Sequence, residues 1–145
     1  DNYSVNGYAI QGEKRIENLG YNSNGKLHFS ISANGTVTAP GNAWRISWTA
    51  NRTRTWVEGQ NTLTWLDDVY EITGNGSGVN RNGISYTTSI TQALRAKLSC
   101  AWLVSGSITL QPQDYDTRYI DFGNGTCDNG FTVTVNNETY QLGAD

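Results

Sequence analysis

The side chains best suited to chemistry lie between positions 56 and 71. Trp56 and Trp65 bracket a short polar stretch, with Glu58, Asp67, Asp68 and Glu71 close by in the chain. A flat indole can stack on a sugar ring or anchor a protein interface. Two carboxylates beside such rings are the minimum that glycoside hydrolysis requires. Acidic residues also gather in ordinary loops, and indoles in cores. The preferred reading is a non-catalytic binding site built on Trp56, Glu58 and Trp65. The alternative is a carbohydrate-active, glycoside hydrolase-like enzyme using two of the four carboxylates.

Other chemistries find less support. His28 is the only histidine, and it falls on the polar side of an alternating run, so a zinc site or a Ser-His-Asp triad built on it lacks partners. No G-x-S-x-G, H-E-x-x-H or phosphate-binding loop occurs. Asp121, Asn124 and Asp128 could offer oxygen ligands to Ca²⁺, but their spacing fits neither known calcium loop. Capping of local backbone in Asx turns suits them better. No metal and no cofactor are expected. The net charge is −3, with no basic stripe to meet phosphates, which sets nucleic acid aside. No apolar run approaches the ~20 residues of a transmembrane helix.

These side chains need a scaffold, and its pattern is plain. The chain of 145 residues suits one domain, 1–145, large enough for a core of its own. Only 16% of residues are charged, and Gly, Asn, Ser and Thr, which favour turns and pleated surfaces, fill the gap. From 84 to 110 the even positions carry Ile84, Tyr86, Ile90, Leu94, Leu98, Trp102, Val104, Ile108 and Leu110, while the odd ones are mostly polar. Period two means a strand with one buried and one wet face. A straight strand of that span would reach about 90 Å at ~3.3 Å per residue, so the alternation must cross a bend or bulge, and the corner is placed at Gln92-Ala93.

The same alternation marks 27–33, 44–50 and 131–135. It puts Trp44, Trp48 and Trp102 on apolar faces, where they read as core. Asn-Gly pairs such as Asn6-Gly7, Asn24-Gly25, Asn34-Gly35, Asn75-Gly76 and Asn82-Gly83 accept the positive φ of tight hairpin turns. The expected fold is all-β: an antiparallel meander of about eight to ten strands, forming a sandwich or a partly open barrel.

Register also speaks for the two cysteines, Cys100 and Cys127. Pro112, Asp114 and Asp116 make a turn near 114, and a hairpin centred there pairs positions whose numbers sum to about 228. Cys100 and Cys127 then face each other, within reach of a cross-strand disulfide. The alternative is two buried reduced thiols behaving as small apolar side chains. A disulfide implies an oxidising compartment.

Four segments carry a resemblance: Arg52-Thr-Arg-Thr-Trp-Val-Glu-Gly, Asp68-Val-Tyr-Glu-Ile-Thr-Gly, Leu98-Ser-Cys-Ala-Trp-Leu-Val-Ser-Gly and Asp121-Phe-Gly-Asn-Gly-Thr-Cys-Asp-Asn. With Val5-Asn-Gly-Tyr-Ala-Ile-Gln-Gly they are similar to an uncharacterised family of surface lipoproteins and secreted proteins of Bacteroidetes-type bacteria. The resemblance covers nearly the whole chain, and Gly-Thr-Cys-Asp-Asn is its most specific part. It implies export to the extracellular or outer-membrane surface, with lipid anchoring through an upstream Cys. It brings no activity and no functional residues. One departure is Gln92-Ala93, where the family pattern has a Pro-containing corner. Since Asp1 is not an initiator Met, a trimmed leader is also expected. The partner expected is a glycan or an envelope protein.

Overall fold

Among the described residues ten strands follow one another in chain order, each antiparallel to its neighbours, in one sheet that is not closed into a barrel. The computed structural model describes residues 2–143. The strands are β1 (Asn2–Val5), β2 (Tyr8–Tyr21), β3 (Leu27–Thr38), β4 (Arg45–Glu58), β5 (Val69–Val79), β6 (Ser85–Lys97), β7 (Leu103–Pro112), β8 (Arg118–Asn124), β9 (Phe131–Val135) and β10 (Glu138–Leu142). The expected meander is therefore present, as a single layer. A single 3₁₀ turn at Pro40–Asn42 joins β3 to β4. Among the described residues no helix is long and apolar enough to cross a membrane.

The turn chemistry explains most of the reversals. Asn6 and Gly7 take φ of 52° and 85° between β1 and β2, the two positive values that a hairpin turn matched to strand twist requires. Asn24-Gly25 and Asn82-Gly83 serve the β2–β3 and β5–β6 turns. Asn136 and Asn137, with φ of 53° and 65°, turn β9 into β10 without a glycine. Asn34-Gly35 and Asn75-Gly76 behave differently from their sequence reading, for they lie inside β3 and β5.

Ladder partners share a face, so the registers sort the side chains. Phe29, Arg54, Ile72 and Leu94 form one cross-strand row, and His28, Thr55, Glu71 and Arg95 form the next. The first belongs to a largely apolar face, the second to a polar one. Buried apolar side chains are few among the described residues: Val69, Leu94 and Val104 lie at the start of β5, the end of β6 and the start of β7, and Ala39 at the opposite end. Buried Ser107 is satisfied by Thr91, with 2.7 Å between the hydroxyl oxygens.

The irregularity expected at Gln92-Ala93 is present as a bulge: β6 runs through to Lys97, its ladder with β7 slipping between Ile90 and Gln92 and again on either side of Arg95, and Gly106 supplies the positive φ of 104° that the bulged partner needs. The expected continuation of the strand past Leu98 is not: the chain reverses at 98–102. Trp102, expected in the core, lies in that turn and is 52% exposed. A turn can carry the odd–even pattern onward while both sets of side chains reach solvent. Trp44 and Trp48 are half-buried. Trp48 lies against the backbone of Gly35, where an added Cβ would fall 2.7 and 2.8 Å from ring atoms Cη2 and Cε2.

The sulfur register holds. Leu110 faces Arg118 and Ser107 faces Asp121, pairs whose numbers sum to 228. Cys100 and Cys127 form a disulfide with Cα atoms 5.9 Å apart, stapling the β6–β7 turn to the β8–β9 loop.

Candidate functional site

The β4–β5 connection, 59–68, is ordered by its own hydrogen bonds. The Thr62 hydroxyl donates 2.8 Å to an Asp67 carboxylate oxygen, with the Gly59 and Thr64 carbonyls 3.1 and 3.2 Å away. The Asp68 N–H donates to the Trp65 carbonyl at 3.1 Å. Gln60 ties the loop to its neighbour, its amide donating to the Gly25 carbonyl at 3.1 Å. Gly59, at φ 93°, packs so tightly on Asp68 that a Cβ there would overlap the Asp68 Cα at 2.8 Å, which makes glycine mandatory. The polar atoms thus bond inward, and Leu63, Trp65 and Leu66 are left pointing out, Trp65 at 61% exposure. Trp102 and Leu98 are also exposed on the turn at 98–102, which the loop meets through the Leu98 N–H donating to the Asp68 carbonyl at 3.1 Å.

Trp56 has a different surrounding. It is half-buried on β4 and stacks on Tyr70, its cross-strand partner, with ring centroids 5.8 Å apart and planes at 22°. The Arg54 guanidinium sits 4.6 Å from the centre of the Tyr70 ring and 5.7 Å from that of Phe29, a cation held by aromatic faces rather than by a carboxylate. Burial raises the Tyr70 phenol above its usual 10.0; Arg54 acts against that rise and Asp68 adds to it. Trp56 Nε1, Arg54 Nε and Asp68 Oδ1 are buried without a hydrogen-bond partner among the described residues.

Glu58 points elsewhere again. A register slip between Trp56 and Glu58 brings its carboxylate to Arg95, which also pairs with Glu71 at 3.0 Å. One guanidinium therefore holds two of the four candidate acids. Asp67 is taken by Thr62, and Asp68 is 7% exposed beneath Gly59. The three residues proposed from sequence as one binding site fall into three settings: Trp56 in an aromatic stack, Glu58 in an ion triad, Trp65 at a loop tip. No ring contact or hydrogen bond joins them among the described residues.

The remaining sequence candidates are structural. His28 Nδ1 lies 2.8 Å from the Gly20 carbonyl and donates to it, closing the bulge at the end of β2. Asp121 and Asp128 accept the N–H groups of Gly123 and Gly130 at 2.8 and 2.9 Å, the Asx capping that their spacing suggested. Arg95 escaped the sequence reading as a site residue, since the acids it holds are 24 and 37 positions away and only the register unites them. No protein-family model, curated protein or solved structure matches this chain.

Proposed function

We propose that this protein is a non-catalytic, exported binding module of the cell surface, taking a glycan or an envelope protein as its ligand. The observation that carries the reading is the loop at 59–68: Thr62, Asp67 and the Asp68 N–H order it by internal bonds, and Trp65 is presented to solvent between Leu63 and Leu66. An ordered, exposed indole costs little conformational entropy to bind with, which is what makes tryptophan an effective anchor. The acids support the same reading. A glycosidase needs one carboxyl free to give up a proton and another free to attack or activate water, whereas Glu58 and Glu71 share Arg95. The disulfide fits an oxidising compartment, in line with the surface-protein resemblance.

The test is a glycan array probed with wild type and Trp65→Ala, alongside a reducing-end release assay. Retention of glycan without release of reducing ends is expected, and thiol trapping in the producing cells should find Cys100 and Cys127 oxidised. Release of reducing ends that Glu58→Gln abolishes would replace this reading with the enzyme. Free thiols in the cell would remove the export limb.

A further inference from the structure

At the opposite end of the strands from Trp65 a concavity of about 880 Å³ crosses β2 to β7. Its axis is one cross-strand row: Gly12, Gly35, Trp48, Gly78, Tyr86 and Pro112, each the ladder partner of the next. Within the strands, its other lining residues lie one position from this row and never two. A one-residue step reverses the side-chain direction, so the cavity opens on the polar face and the row contributes its backbone as the floor. Beneath that floor, Trp48 lies on Gly35, and Tyr86 on Gly78, where a Cβ would fall 2.7 Å from the Tyr86 Cζ. The aromatic rings stiffen the floor from the far side.

The walls are two further cross-strand rows. One runs Gln11, Thr36, Ser47, Val79, Ser85, and the other Asn34, Thr49, Ser77, Thr87, Gln111. Every member but Val79 carries a hydroxyl or a carboxamide, Gln111 being engaged with Pro112, Tyr115 and Thr117 and Asn34 with Glu13. Thr49 and Ser77 are exposed, their hydroxyl oxygens 3.0 Å apart. Asp114 is the one ionisable carboxylate in the lining, and no Lys, Arg or His is there. A smaller hollow of about 240 Å³ shares Gln11 and carries the groove on toward β1.

We infer that this groove binds an extended, uncharged polysaccharide lying across the strands. This deepens the binding-module reading and rests on it. The chemistry selects the ligand: neutral donors and acceptors on both walls suit a chain of hydroxyl groups, and the lining has no cation for an anionic polymer. The geometry agrees. Strands repeat every ~4.8 Å, close to the length of one pyranose unit in an extended chain. Successive sugars then meet successive strands, with β3, β4 and β6 each presenting a pair of hydroxyl or amide groups and β2, β5 and β7 one each. From β2 to β7 the groove is about 24 Å long on the same spacing, room for roughly five sugars.

Affinity electrophoresis in gels carrying hydroxyethyl cellulose, mannan, dextran or alginate tests this with the intact chain. Wild type should be retarded by at least one neutral polymer and not by alginate. Thr49→Lys with Thr87→Lys, on exposed wall positions, should weaken retardation about tenfold, and Thr49→Val, which only replaces a hydroxyl by a methyl, about threefold, as befits lost hydrogen bonds. Glu17→Gln, exposed on β2 away from both the groove and the 59–68 loop, should leave it unchanged. Retardation that survives both wall variants but is lost in Trp65→Ala overturns the groove and keeps the binding module. Retardation by alginate alone overturns the groove on chemistry. No retardation by any polymer overturns the groove and the glycan limb of the proposed function together, as would capture of an extended peptide in the groove.

Discussion

The two ends of strands β4 to β7 are ordered by different means. At the end carrying 59–68, side chains bind side chains: Val69, Leu94 and Val104 are buried, Arg95 clasps two acids, Arg54 is held by rings, and a disulfide closes the turn beyond. At the other end the backbone itself is the packing surface, with Trp48 and Tyr86 laid against glycines. The first arrangement leaves an apolar tip and buries Arg54 Nε, Trp56 Nε1 and Asp68 Oδ1 without partners among the described residues. The second leaves a surface of small hydroxyls, some bonded to one another, as Thr49 is to Ser77, because the rings work from the far face. A sheet of one layer has no second layer to lean on, so each end must find rigidity locally, and how it does so decides what it can offer a ligand.

Removing the staple should break the comparison most. Cys100→Ser with Cys127→Ser is expected to lower the unfolding free energy by about 3 kcal/mol, the loop-closure contribution for this separation, read as a shift of the urea midpoint. A loss under about 1 kcal/mol would mean that the buried trio alone holds that end. At the groove end the largest effect should come from Gly35→Ala, which drives a methyl into the Trp48 ring and should cost about 1–3 kcal/mol as overpacking. Asn34→Ala, next in sequence but on the other face, should stay within about 0.5 kcal/mol. Equal effects would show that the ring does not depend on the glycine.

The smallest effect concerns pH. Tyr70 is raised above 10.0, chiefly by burial, so its neutral form is favoured in the folded protein. Its contribution is complete below the unfolded value and drains away as pH rises through the folded one. Wild type should therefore lose stability above about pH 10 faster than Tyr70→Phe, measured by urea midpoints along an alkaline series. Parallel curves would place the alkaline sensitivity elsewhere.

Much of the architecture was legible because period two is local. The alternations at 27–33, 44–50 and 131–135 became β3, β4 and β9, and the turn near 114 fixed the register that unites Cys100 with Cys127. What stayed hidden was decided by neighbours in space. Asn34-Gly35 has the composition of a turn, yet Gly35 is held in a strand because Trp48 occupies the place of its side chain. The reversal at 98–102 was masked because Leu98, Cys100 and Trp102 keep the alternation going through it. The candidate site was legible as residue types and not as an assembly. Trp56, Glu58 and Trp65 are close in the chain, but a register slip beside Glu58 and the outward loop send them three ways.

The strand order has a consequence for how the molecule forms. Every strand's partner is its neighbour in the chain, so each contact closes only a short loop, and the entropy lost at each closure is small. Such a sheet can grow by zipping hairpin onto hairpin, without waiting for distant segments to meet, which is the topology associated with rapid folding among β proteins. Cys100 and Cys127, 27 positions apart, are brought together by the same short-range growth.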